Sequence, residues 1–305
     1  MGLLYLFEQI RVPGLNEFML LITQLGDETA FLVTALILFW CVDKRKGYYV
    51  MTVGFVGTIV NQMLKLVCRV PRPWVKDPGF TILEQAREGA TGYSFPSGHA
   101  TSAVGTFGSV AKTTKTAWVK WGCIAVAVLV PISRMYVGVH TFWDVLVGGG
   151  TSLILIFALE KPMLQGTEKT MQRLIGGVLA LAVIYLAYVE LWPFPADVDT
   201  VNLQHGVKNA YTLLGCMLGI AVAYPLERKW IHFETDAVWW VQILKAVLGL
   251  AVVLAVKTGL KAPLEALFAG HYASRAVRYF LIVVVAAVLW PMTFRWFVKL
   301  GGKQK

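Results

Sequence analysis

Three short segments of this chain carry residues suited to handling a phosphoryl group. The first is Lys65, followed after six residues by Arg72-Pro73. The second is Pro96-Ser97-Gly98-His99, and the third is Ser133-Arg134 with His140 and Asp144 beyond it. Lys65, Arg72 and Arg134 supply three cations, and arginine can grip phosphate oxygens through two parallel donors. Ser97 adds a hydroxyl. Gly98 lets the backbone approach closely, and the start of a helix turns free N–H groups and a positive dipole end toward an anion. Such a set stabilises the equatorial oxygens of a phosphoryl group in transfer.

The two histidines divide the remaining work. His140 and Asp144 stand four residues apart, on one face of a helix. A carboxylate on one ring nitrogen fixes the tautomer and leaves the other nitrogen free to attack phosphorus. His99, on a different helix, can approach from the opposite side to protonate the leaving oxygen and then activate water. A zinc ion on His99 and His140 is disfavoured by the three nearby cations, so neither a metal nor a cofactor is expected. Cys41, Cys68, Cys123 and Cys216 lack a CxxC partner and read as small buried hydrophobes. His205, His232 and His271 read as structural, and Arg11, Arg87 and Arg295 as headgroup anchors.

The elements that position these residues are membrane helices. The chain is 57% hydrophobic and 15% charged, with mean hydropathy +0.62, whereas soluble domains are about half apolar and a quarter charged. The excess lies in blocks of the length that crosses a bilayer, about 20 residues, as helices that satisfy their own backbone. Spans are expected at about 28–42, 47–68, 97–112, 117–134, 141–159, 173–192, 208–226, 238–256 and 276–298, so the predicted fold is an all-α polytopic transmembrane helical bundle of about nine spans. Residues 1–27 read as interfacial N-terminal helices with no cleavable signal peptide. The 97–112 span is rich in Gly, Ala, Ser and Thr, which permit close helix packing in lipid. Lys65 and Arg72 end the second span, Ser97–His99 open the third, Arg134 closes the fourth, and His140 and Asp144 open the fifth. Alternation puts all of them on one side.

The +10 net charge sits largely in short loops, facing anionic headgroups rather than nucleic acid. Lys44/Arg45/Lys46, Lys112/Lys115/Lys120, Lys161/Lys169/Arg173, Arg228/Lys229 and Lys299/Lys303/Lys305 fall in alternate loops and mark the cytoplasmic side. The catalytic motifs then face the non-cytoplasmic side, as does the acidic 193–207 loop. The 257–275 loop, with Lys257, Lys261 and Arg275, conflicts with this pattern.

The three motifs, Lys65…Arg72-Pro73, Pro96-Ser97-Gly98-His99 and Ser133-Arg134…His140…Asp144, resemble those of the type 2 phosphatidic acid phosphatase (PAP2) family, which shares its core with glucose-6-phosphatase and vanadium haloperoxidases. The resemblance covers about residues 60–160. It implies a helical core (here 28–165, followed by additional C-terminal transmembrane helices over 166–305) and metal-independent hydrolysis. His140 is implied as nucleophile, Asp144 as its orienter, His99 as acid and base, and Lys65, Arg72, Ser97, Gly98 and Arg134 as phosphate-binding residues. The expected partners are membrane lipids and a phosphorylated lipid substrate, phosphatidic acid-like or a prenyl diphosphate, at a bacterial plasma membrane. The three extra spans after residue 200 depart from the small bacterial members and keep a soluble sugar phosphate open as substrate. A non-catalytic lipid-phosphate binder or transporter is the rival from another class, and it has no use for two opposed histidines.

Overall fold

The computed structural model describes residues 1–300, with side chains to Phe297. Lys303 and Lys305, and the side chain of Lys299, counted above among the cytoplasmic charges, lie outside the described residues. The chain folds into helices α1 (Gly2–Gln9), α2 (Pro13–Gln24), α3 (Glu28–Ile37), α4 (Lys44–Cys68), α5 (Pro73–Lys76), α6 (Gly98–Thr113), α7 (Ala117–Tyr136) and α8 (Phe142–Leu164). These are followed by α9 (Glu168–Leu191), α10 (Thr200–Leu226), α11 (Trp239–Gly259), α12 (Lys261–Leu267), α13 (Ala273–Val284), α14 (Trp290–Met292) and α15 (Phe294–Leu300). No strand occurs among the described residues.

Local signals set several boundaries. Pro13 opens α2 at a position where its missing N–H costs nothing. Ser97 and Thr167 cap α6 and α9, their hydroxyls accepting from the N–H groups of Ala100 and Thr170.

Among the described residues, seven helical segments are long and apolar enough to cross a bilayer, and an eighth if α2 and the helix over 28–42, bent by 53°, count as one. The ninth expected span is α6. Its 16 residues rise only about 24 Å, short of the ~30 Å hydrocarbon core. It packs against α7, with Ala100, Ala103, Gly105 and Ser109 buried, and Gly105 faces Val53 of α4 and Ser152 of α8.

The chain forms two compact units. One comprises residues 1–34, 49–161 and 193–206; the other comprises 35–48, 162–192 and the chain from 207 onward. In the first unit α1, α2 and α6 lie against α7. Leu4, Phe80, Ile82, Ala100, Met135 and Val145 form one core cluster there, and Ala86, Ala90, Tyr136, Val137 and Val139 another. Both clusters pin the 69–96 connection onto the helices.

Arg11, expected to be a headgroup anchor, instead clamps this unit. It donates to the carbonyls of Tyr136 (3.1 Å) and Thr81 (2.9 Å) and lies over the Phe80 ring. The tight α1–α2 turn aims it at these carbonyls.

In the second unit Trp40 donates to the Ala286 carbonyl at 2.8 Å, and Lys44 pairs with the buried Glu227 at 2.5 Å. The buried Lys245 ammonium stands 4.4 Å from the Phe294 ring centroid and donates to the Thr235 carbonyl. His271 accepts from the Ala273 N–H at 3.1 Å, a structural role.

Candidate active site

All eight residues singled out by the sequence motifs lie in the first unit: on α4, α6, α7 and α8, just before α5, and in the turn between α7 and α8. Lys65 sits on the last turn of α4, buried, with its ammonium donating to the Tyr93 carbonyl at 2.6 Å. Arg72, just before α5, is a brace. Its Nε donates to Gly92 O, Nη2 to Thr91 O and Nη1 to Val139 O, each at 2.9 Å. One arginine thereby joins the loop entering α6 to the turn that carries His140.

Ser97 and Gly98 open α6. The Ser97 N–H donates to the Asp144 carbonyl at 2.9 Å, so the start of α6 is tied to the start of α8. A Cβ added at Gly98 would meet only Asn61 Oδ1, at 3.8 Å, so there is open space beside the helix start. Asn61 donates to Pro96 O and Thr101 Oγ1, and its own Oδ1 is buried without a partner.

Arg134, near the end of α7, is 1% exposed. Its Nη1 donates to Thr23 Oγ1 at 2.8 Å, while Nε and Nη2 have no partner. A buried guanidinium with idle donors is costly and marks a place where an anion belongs.

His140 lies in the turn between α7 and α8, its ring almost wholly buried. Nε2 is 3.0 Å from Arg72 Nη1, and Nδ1 is 3.5 Å from Asp144 Oδ2. Arginine can only donate, so Nε2 is the acceptor and the proton resides on Nδ1, facing the carboxylate. That tautomer keeps the proton off Nε2, whose lone pair is held by Arg72 Nη1 and can attack once a phosphate takes over that guanidinium donor. Asp144 is itself fixed, with Oδ2 accepting from Ser94 Oγ at 2.5 Å and from the Thr141 N–H at 2.7 Å. The 3.5 Å histidine–carboxylate gap exceeds a formed hydrogen bond, and catalytic contacts of this kind tighten in the substrate complex. Burial first, then the charges of Arg72, Arg134 and Lys65, hold the His140 imidazole well below its ordinary pKa. It therefore stays neutral, the form that can attack.

His99, on the first turn of α6, places Nε2 2.8 Å from Asp27 Oδ1 in the bend between α2 and α3. The motif reading omitted Asp27, Thr23, Asn61 and Ser94. Of these only Asp27 left a trace in the sequence, as an acid interrupting an apolar run.

A further contribution comes from 193–206. The Asp199 N–H donates to Tyr93 Oη at 3.0 Å, Asp197 pairs with Arg69 at 3.4 Å, and Asn202 packs directly against Gly92. Among the described residues no group of three or more His, Cys, Asp or Glu side chains is arranged to hold a metal ion.

Residues 45–165 match the PAP2 superfamily, and 211–303 match the PAP2 superfamily phosphatase, transmembrane extension. Phosphatidylglycerophosphatase B of Bacillus subtilis is 32% identical over 165 residues, covering 50% of this chain and 76% of that protein. The chain belongs to the PAP2 superfamily. Undecaprenyl-diphosphatase BcrC of Bacillus subtilis is 31% identical over 134 residues, 43% of this chain and 66% of that protein. Undecaprenyl-diphosphatase of Sulfolobus acidocaldarius is 32% identical over 139 residues, 45% of this chain and 66% of that protein. No solved structure matches the chain. The protein is thus an integral membrane PAP2 phosphatase, a phosphoric ester hydrolase. All eight motif residues fall inside the PAP2 match. The extra helices after residue 200 coincide largely with the transmembrane extension, which accounts for the departure in length from the small bacterial members.

Proposed function

We propose that this phosphatase removes a phosphoryl group from a membrane lipid, either a phosphatidic acid-like monoester or a prenyl diphosphate, through a phosphohistidine on His140. The observation that carries the reading is the His140 environment. Its neutral Nε2 is presented among Lys65, Arg72 and Arg134, and its Nδ1 faces a fixed carboxylate. Nε2 attacks phosphorus as the bond to the leaving oxygen breaks, and His99 protonates that oxygen. Water, deprotonated by His99, then displaces Nε2 and releases phosphate. The idle Nε and Nη2 of Arg134 are ready for phosphate oxygens. Lys65 and Arg72 exchange backbone carbonyls for the ligand, and the Ser97–Gly98 helix start supplies hydroxyl and N–H donors. A lipid substrate is favoured by the names of the three relatives, each a lipid phosphatase or diphosphatase. It is also favoured by a site at helix ends, where a headgroup can enter while its tail remains in the bilayer. The loop charges favour the non-cytoplasmic leaflet.

The test is phosphate release by the purified protein from phosphatidic acid, phosphatidylglycerol phosphate, a prenyl diphosphate and glucose 6-phosphate, with His140→Ala as control. The expected result is turnover of a tailed substrate, abolished in His140→Ala. Preference for the sugar phosphate would overturn the substrate assignment. Substantial activity in His140→Ala would overturn the mechanism.

A further inference from the structure

We infer that Asp27 is a positioning residue for the acid–base histidine, so that the site contains two aspartate–histidine pairs, one on each catalytic ring. The inference rests on the His140 and His99 roles proposed above, but it concerns a residue outside the 45–165 family match.

The geometry is direct. Asp27 Oδ1 is 2.8 Å from His99 Nε2, a full-strength charge-assisted contact. With Nε2 engaged, only Nδ1 of His99 remains to meet the leaving oxygen. The general acid must exist as an imidazolium, and that cation has to form close to Arg134 and Arg72. The Asp27 carboxylate supplies the compensating charge. Hydrogen bonding to His99, outweighing burial and aided by Arg134, holds Asp27 itself below the ordinary carboxylate range, so it is ionised wherever His99 works.

The chain is shaped to make this contact. A Cβ on Gly26 would lie 2.8 Å from Val130 Cγ1, 3.0 Å from His99 Cβ and 3.1 Å from the His99 carbonyl, so only glycine lets the α2–α3 bend close onto α6. The same bend delivers Thr23 to Arg134 at 2.8 Å. Two residues of the N-terminal helices thus contact two members of the motif set. Asp27 is also half exposed, which puts this pair at the side open to water, where the second step draws its nucleophile.

The proton balance assigns Asp27 no proton of its own. In the first step the proton on His99 Nδ1 passes to the leaving oxygen as the P–O bond breaks and the His140 N–P bond forms. In the second, water gives a proton to Nδ1 as its oxygen bonds to phosphorus and the N–P bond breaks. Throughout, the Nε2 proton stays on His99, hydrogen-bonded to the Asp27 carboxylate, fixing the tautomer that leaves Nδ1 available.

A leaving group that needs no proton separates this role from a structural one. kcat/KM reports the step that forms the phosphohistidine. For Asp27→Asn it should fall about 100-fold on a short-chain phosphatidic acid, in the range expected of a general acid, and less than about threefold on p-nitrophenyl phosphate. The second step still needs His99 as base, so the variant should show a pre-steady-state burst of p-nitrophenol. Asp27→Glu, which keeps the carboxylate, should recover most of the phosphatidic acid activity. Equal losses on both substrates without a burst, or an unchanged Asp27→Asn enzyme, would overturn the inference. If Asp27→Asn does not fold, Asp27→Ser takes its place: a loss at least about tenfold greater on phosphatidic acid than on p-nitrophenyl phosphate supports the role, and equal losses on the two substrates refute it. Failure of the underlying mechanism is distinguished by His140→Ala, which would then retain activity on both substrates.

Discussion

Replacing Gly148 by alanine should disable the enzyme without unfolding it. Gly148 lies one turn beyond Asp144 on α8 and faces the start of α6. An added Cβ would sit 2.6 Å from the Ser97 carbonyl oxygen and 3.0 Å from Thr101 Oγ1, whereas ordinary contact begins at 3.4 Å. The obstructing atom is backbone, so the two helices must separate by about 3.4 − 2.6 = 0.8 Å. Three hydrogen bonds oppose that movement: Ser97 N to Asp144 O at 2.9 Å, Thr101 Oγ1 to Gly148 O at 3.2 Å, and Ser152 Oγ to Thr101 O at 2.7 Å. α8 carries Asp144 and follows His140, while α6 carries Ser97, Gly98 and His99. The displacement therefore falls between His140 and His99. A misplacement of about 1 Å costs on the order of 100-fold, so kcat should fall roughly 30- to 100-fold. Overpacking should cost about 1–3 kcal/mol of stability. Phosphate release in detergent and the thermal midpoint measure both effects. Gly150→Ala is the matched control, since its Cβ meets nothing within 4 Å. A Gly148→Ala enzyme within threefold of wild type, melting with Gly150→Ala, would refute the claim that this contact sets the catalytic spacing.

Asp144→Asn keeps the Ser94 and Thr141 contacts in shape but loses the charge facing Nδ1. It should lower kcat by about 10³- to 10⁴-fold with little change in thermal midpoint, and a near-normal rate would remove its orienting role. Excess EDTA should leave the rate unchanged, because cations surround the phosphate position; loss restored by a divalent ion would contradict this. pH should act on stability through His140. Its folded pKa lies below the unfolded value of about 6.5, so between the two the unfolded chain binds the extra proton and stability falls as pH falls. From pH 7 to 5 the wild-type midpoint should drop more than that of His140→Ala, and parallel slopes would show that the ring is not buried neutral.

Residue types and spacing made the motif residues legible, because a phosphoryl group demands cations, a helix start and a paired imidazole. Hydropathy placed most of the helices. Contacts made by irregular backbone were not legible. Asp27 and Thr23 reach His99 and Arg134 across more than 70 residues of sequence, through a bend that periodicity does not encode. Arg11 looked like any arginine at an interface until the α1–α2 turn showed where it points. α6, expected over 97–112, keeps that length as Gly98–Thr113, the shortest of the expected spans but one. Tyr93 and Asn202 carry no signal of the brace they form.

That brace has a consequence for how the enzyme is made. Every motif residue has been synthesised by residue 144, yet the first unit is interrupted after residue 161 and resumes only at 193–206. Until Asp197, Asp199 and Asn202 emerge, Arg69, Tyr93 and Gly92 lack the contacts that steady the loop leading into Ser97. At about 5–20 residues per second, the 202 − 144 = 58 residues from Asp144 to Asn202 take roughly 3–12 seconds. For that interval a nascent chain holds all eight motif residues, with a loop that Arg72 already ties to Val139 but that residues 193–206 do not yet steady. Biogenesis itself therefore delays competence until α9 has been laid down and the chain has returned.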